Sequence, residues 1–363
     1  MRLRNILMIN RAPFEHFELE LGDENLILLS GVNGAGKTTI LSYIVDAFYE
    51  LAKKGFSFEF EENNTKFYRI SSGVFSRDSS KVSIVYLRFL QEDGTNADYI
   101  EIRGNCSQEE YETLIPFPDK IEFATLKRAL MNNEVEKYWT ISDKNTITTL
   151  FSNNILTYFP AYRYELPYYL NDPYKIQLEF NKEAGFSGYL TNPIEVTSDL
   201  LNIANWIMDV VLDQLNYNEI RAQSAFTELN EILTNILIKK ANCKTRLGIG
   251  KRFAGASRIA VINMETGNLL YPSIFCMSSG ELALLCLFGE LLKQTDKLGK
   301  ALASISGVVL VDEIDKHLHI KLQKEVLPSL IALFPNVQFI ASSHSPFLGL
   351  GLAESGIITY KIS

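Results

Sequence analysis

The sequence predicts an α/β fold with a mixed sheet core, and three apolar runs with polar ends predict it. Asn25-Leu26-Ile27-Leu28-Leu29-Ser30 leads into Gly31-Val32-Asn33-Gly34-Ala35-Gly36-Lys37-Thr38-Thr39. Gly307-Val308-Val309-Leu310-Val311 ends in Asp312-Glu313, and Asn336 to Ala341 ends in Ser342-Ser343-His344. Short apolar runs bounded by turn residues read as buried strands. Polar groups at their C-terminal ends are where an α/β sheet places its ligands.

The glycine stretch fits the phosphate-binding pattern G-x-x-x-x-G-K-[ST] without a mismatch. After it, Ile40, Tyr43, Ile44, Ala47, Phe48 and Leu51 recur at helical spacing. Strand, glycine loop and helix together make a site for a nucleotide triphosphate. Gly31, Gly34 and Gly36 let the backbone curl, and the amides around Asn33 and Thr39 point inward at the helix's positive end. Lys37 is expected to reach the β- and γ-phosphates, and the Thr38 hydroxyl to sit on Mg²⁺. Asp312 is the second expected Mg²⁺ residue, and Glu313 is placed to activate a water as general base. His344, just past a strand end, can reach a γ-phosphate or its water.

Length and composition set the frame. A chain of 363 residues, 47 % hydrophobic and 21 % charged, is ordinary for a globular protein. No apolar run reaches the ~18 residues of a membrane span, and the N-terminus lacks a signal peptide's apolar core. Cytoplasm and no membrane partner are the expectations. Cys106, Cys243, Cys276 and Cys286 are scattered, which suggests neither zinc nor disulfides. The net charge of −8 argues against a surface that coats nucleic acid. One stretch departs from it: from Ile232 to Met264 there is no acid, but Lys239, Lys240, Lys244, Arg246, Lys251, Arg252 and Arg258 are present.

Taken in order, residues 3–9 and 15–21 read as strands around Ala12-Pro13, with Phe17, Leu19 and Leu21 alternating with acids. Phe14 and Phe17 are read as core aromatics that can also stack on a base. Residues 81–89 and 98–102 flank Glu92-Asp93-Gly94 as a hairpin. Residues 107–152 look mixed and mainly helical, and 155–160 is a strand ending at Pro160. Residues 164–195 look like a long connection. Helices are expected over 197–216 and 218–240, then strands near 244–249, 257–263 and 268–271. Ser278-Ser279-Gly280-Glu281 opens an apolar helix from Leu282 to Leu292, a second anion-binding helix start. His317 and His319 lie two apart, which does not put both on one helical face, so a loop contact is preferred to a metal site.

The order of Gly-x-x-x-x-Gly-Lys-Thr, Ser-Ser-Gly-Glu, Asp312-Glu313, Asp315 and Ser-Ser-His344 resembles the ABC-type ATPase heads. More narrowly it resembles the SMC/RecF-like ATPases, including the compact bacterial kind of anti-phage and mobile-element modules. The resemblance covers about 1–54 and 270–362 and follows the middle only in outline. It implies a P-loop head with an antiparallel β lobe and a helical lobe. Residues 1–105 and 243–363 would form the nucleotide-binding core, and 106–242 a helical insert. It also implies head-to-tail dimers, in which ATP lies between one P-loop and the other protomer's Ser279 and Gly280. Asp315 would lie at the interface, and His344 would sense the γ-phosphate. Glu281 departs from the glutamine common in transporter signatures, and long coiled-coil arms are absent. The Phe159 to Arg163 turn stands where a Q-loop is expected, with Arg163 near phosphate. The leading expectation is an ATP-gated switch with a separate effector, such as a nuclease or toxin, and a possible nucleic-acid contact at 239–258. The chain stops soon after His344, so any cleavage is expected from a partner. An ABC transporter ATPase subunit is the alternative, and a module that holds ATP without turnover is a third reading, opposed by Glu313.

Overall fold

The computed structural model describes residues 1–61, 69–71, 76–129, 135–163, 190–197, 200–217, 219–250, 259–353 and 359–362. Its strands are β1 (Arg2–Arg11), β2 (Phe14–Glu20), β3 (Leu26–Ser30), β4 (Ser83–Leu90), β5 (Asn96–Arg103), β6 (Val135–Trp139), β7 (Asn154–Phe159), β8 (Thr245–Ile249), β9 (Ile259–Asn263), β10 (Leu269–Tyr271), β11 (Ser306–Val311), β12 (Asn336–Ser343) and β13 (Thr359–Lys361). The helices are α1 (Lys37–Gly55), α2 (Ser57–Glu61), α3 (Gln108–Leu114), α4 (Phe123–Ala129), α5 (Lys144–Asn153), α6 (Leu200–Asn216), α7 (Ile220–Ala241), α8 (Ser279–Lys297), α9 (Leu327–Ile331) and α10 (Pro346–Ala353).

Among the described residues these strands form three sheets. The first is antiparallel in the order β2-β1-β4-β5-β6, and the second is parallel in the order β13-β3-β12-β11-β7. The third, β10-β9-β8, is a small antiparallel sheet. The fold is therefore α/β with a parallel core, an antiparallel lobe and a helical lobe.

Strand alternation decides the layering, because successive side chains point to opposite faces. From the parallel sheet, Ile27, Leu29, Leu310 and Ile340 pack with α1 and with Leu3, Ile6 and Met8 of the antiparallel sheet. The opposite face, with Leu28, Val309, Phe339 and Ala341, packs on α6, α7 and α8. Helix α1 is thus buried on nearly all sides between two sheets, which explains its apolar residues beyond a single stripe. The outer face of the antiparallel sheet carries Leu7, Ile84, Tyr86 and Ile100, which are covered by Tyr111, Ile115 and Leu126.

Most expected elements are present, with differences. Residues 107–152, read as mainly helical, contain β6, whose Trp139 is buried and donates from its indole to the Ala47 carbonyl at 2.9 Å. Both β6 and β7 fall inside the 106–242 span, yet they complete the antiparallel and parallel sheets. The short α2, α10 and β13 had no sequence counterpart. Of the long connection, 164–189 lies outside the described residues. Among the described residues, no helix is long and apolar enough to cross a membrane.

Candidate nucleotide site

The parallel sheet places three loops side by side. β12 lies between β3 and β11, so the loops after all three strands open at one edge. The glycine loop follows β3, Asp312 and Glu313 follow β11, and His344 follows β12.

Gly36 is the N-cap of α1, at φ 95°. That left-handed conformation suits glycine, and a Cβ there would meet the Phe14 ring at 2.3 Å. Phe14 thus leans on the loop, half-buried, with the Phe17 ring centroid 4.7 Å away. Gly34 also has positive φ and, like Asn33, is exposed, while Gly31 is half-buried. Thr39 is half-buried in the first turn of α1.

Lys37 is buried and donates from Nζ to the carbonyls of Gly31 at 2.8 Å and Val32 at 3.0 Å. Its Nζ is 3.5 Å from His344 Nδ1. Burial lowers its pKa from the usual lysine value, against the pull of Asp312, Glu313 and Asp315. Thr38 Oγ1 donates to Asp312 Oδ2 at 2.9 Å. Ser342 donates to Asp312 as well, so the carboxylate is fixed by two hydroxyls. A hydroxyl facing a carboxylate beside a phosphate cradle is a hard-oxygen donor set that fits Mg²⁺, which keeps its remaining positions for water and phosphate.

Glu313 is held from both sides. Its φ is 49°, a conformation few non-glycine residues adopt. Its N–H donates to Ser342 Oγ at 2.8 Å, and its carbonyl accepts from Arg163 Nη2 at 3.1 Å. Glu313 Oε1 lies 4.0 Å from His344 Nε2. Arg163, expected near phosphate, donates to the carbonyls of Pro160, Asp312 and Glu313. Burial lowers its pKa to about 10. Neither Arg163's contacts nor the role of Ser342 were read from the sequence, because backbone acceptors leave no residue signature.

The second half of the site lies at the start of α8. Ser278, not Ser279, is the N-cap, and Ser279 is exposed at the first helical position. Gly280 is buried, and a Cβ there would meet the His317 carbonyl at 2.9 Å. The turn 314–318 thus rests against the helix start. Asp315 Oδ1, buried in that turn, has no hydrogen-bond partner among the described residues. His319 Nδ1 accepts from the Lys321 N–H, and no metal-binding group of three or more His, Cys, Asp or Glu occurs among the described residues. Of the basic stretch, Lys240, Lys244 and Arg246 are exposed, while Lys251, Arg252 and Arg258 lie outside the described residues.

Fold and site define a P-loop head of the ABC type. The chain belongs to the family described as "AAA domain, putative AbiEii toxin, Type IV TA system", whose pattern matches residues 26–351. A retron Vc95 probable ATPase from Vibrio cholerae serotype O1 biovar El Tor is 25 % identical across 96 % of this chain and 71 % of its own length. A retron Ec83 probable ATPase from Escherichia coli is 36 % identical over a shorter stretch, 20 % of this chain and 14 % of its own. Among solved structures, an SMC head domain from Thermotoga maritima is 12 % identical, with a TM-score of 0.46, covering 97 % of this chain and 92 % of that one. That likeness is too loose to carry the fold, which rests on the strand order above.

Proposed function

We propose that this chain hydrolyses ATP between two protomers closed head to tail, and that this closure gates a separate effector. The observation that carries the proposal is the connected cluster at one sheet edge: Thr38 on Asp312, and Lys37, His344 and Glu313 within reach of one another. The carbonyls that occupy Lys37 would yield it to the β- and γ-phosphates. Thr38 and Asp312 would hold Mg²⁺, which neutralises charge on the phosphates. Glu313 takes a proton from the attacking water as its oxygen bonds to the γ-phosphorus and ADP leaves. His344 hydrogen-bonds the γ-phosphate. Ser279 and Gly280 of one protomer close over ATP held by the other, with Asp315 at the seam; Ser279's exposure supports that role.

Bound γ-phosphate would then act as an interface ligand that sets the pairing equilibrium. Its place would be a cytoplasmic anti-phage or mobile-element module, with a nuclease or toxin as effector; two of its relatives are retron probable ATPases. Residues 239–258 are the proposed nucleic-acid contact. The division into a core (1–105 and 243–363) and an insert (106–242) is proposed with β6 and β7, inside the insert span, completing the core's sheets. The transporter reading gains no support from these relatives.

The test is the size of Glu313→Gln by light scattering, with and without Mg-ATP. An ATP-dependent dimer that Ser279→Arg abolishes is expected. ATP binding with no change of size overturns the head-to-tail arrangement.

A further inference from the structure

Glu281, the departure in the signature stretch, is only 5 % exposed. Its Oε2 accepts the Ser278 N–H at 2.7 Å, which closes the turn that begins α8. The same carboxylate meets two groups from elsewhere. Lys240 Nζ, near the C-terminal end of α7, lies 3.2 Å from Oε1. The Tyr271 hydroxyl, at the end of β10, lies 3.4 Å from Oε2. Lys240 also donates to the Tyr271 hydroxyl and sits 5.1 Å from the centroid of its ring. Two other segments, α7 and β10, thus converge on one carboxylate directly behind Ser279 and Gly280.

The chemistry explains why the residue is a glutamate. A glutamine can cap the Ser278 N–H equally well, but it cannot form an ion pair with an ammonium. A carboxylate this buried needs a cation, and charge-assisted hydrogen bonds are the stronger kind. The Tyr271 hydroxyl and Glu281 together raise the Lys240 pKa, so the ammonium keeps its charge as pH rises.

We propose that Lys240 and Tyr271 are positioning residues for the signature turn. They fix Glu281, and through it the Ser278 amide and the path of Ser279 and Gly280 toward ATP on the second protomer. This deepens the head-to-tail reading and rests on it. The Lys240 side chain is 61 % exposed, so the ion pair is open to screening by salt. Its partners all lie on the signature side, so its loss acts on closure and leaves ATP binding to a single protomer intact.

The test places Lys240→Ala, Lys240→Arg and Glu281→Gln in the Glu313→Gln background. Amide hydrogen exchange over 278–282 is measured without nucleotide. ATP affinity and ATP-driven pairing are then measured separately. Lys240→Ala is expected to speed exchange at Ser278 and to weaken pairing roughly tenfold, a change of the size a charged hydrogen bond provides. ATP affinity of the protomer stays within about twofold. Lys240→Arg restores both properties, and Glu281→Gln matches Lys240→Ala while flattening the salt dependence of pairing. Unchanged exchange, or faster exchange with unchanged pairing, overturns the proposal. If the Glu313→Gln protein never pairs with ATP, the head-to-tail reading fails, and the exchange result still decides whether Lys240 holds the turn.

Discussion

The two halves of the site are held in different ways. On the glycine-loop side, the functional groups hold one another: Thr38 and Ser342 fix Asp312, Ser342 and Arg163 fix the Glu313 backbone, and Lys37 approaches His344. On the signature side, Ser279 stands exposed and the turn is fixed from behind by Lys240 and Tyr271. The first half is a closed network at the end of a parallel sheet, ready for phosphate. The second is a surface shaped for a ligand that arrives from outside. Under the proposed head-to-tail reading, a protomer built this way would bind nucleotide by itself and complete its chemistry only with a second copy.

Three substitutions test the closed half, in falling order of effect. Glu313→Gln removes the proposed base and is expected to lower kcat by about 10²–10⁴-fold, with ATP binding retained. Single-turnover hydrolysis near the parent rate would move the base elsewhere. Gly36→Ala forces a side chain into φ 95° and onto the Phe14 ring. Strain of about 1–3 kcal/mol predicts an ATP affinity loss of up to roughly a hundredfold, readable by titration calorimetry. Arg163→Met frees the carbonyls of Asp312 and Glu313. It is expected to cut kcat about ten- to a hundredfold, the worth of one charged hydrogen bond, with little change in KM. A KM effect alone would return Arg163 to phosphate binding.

The glycine loop, Asp312-Glu313 and His344 were legible because each closes a short apolar strand, and the parallel sheet sets those strand ends side by side. Gly36 and Gly280 were legible as motif letters, though not for the contacts with Phe14 and His317 that make alanine a clash. β6 was missed because Val135-Glu136-Lys137-Tyr138-Trp139 carries charges in a stretch only five residues long, and its pairing with β5 is a tertiary fact. β13 is three residues that find their place only beside β3. The ion pair between Lys240 and Glu281 joins residues far apart in sequence, so the odd glutamate was visible and its partner was not.

The smallest expected effect sharpens the open half. Lys244 and Arg246 are exposed near the Lys240 end of α7, and β8 turns Arg246 outward while Thr245 and Leu247 face the core. If this face meets nucleic acid, the double substitution Lys244→Glu and Arg246→Glu removes two phosphate contacts. Affinity for a DNA duplex would then fall similarly across sequences, and the slope of log K against log salt would flatten by about 1.8, at about 0.9 per contact. ATP affinity and fold would not change, since neither residue lies among the nucleotide-site groups. A salt slope equal to the parent's would confine the signature side to its work on the second protomer. Nucleic acid would then reach the pair, if at all, through its effector.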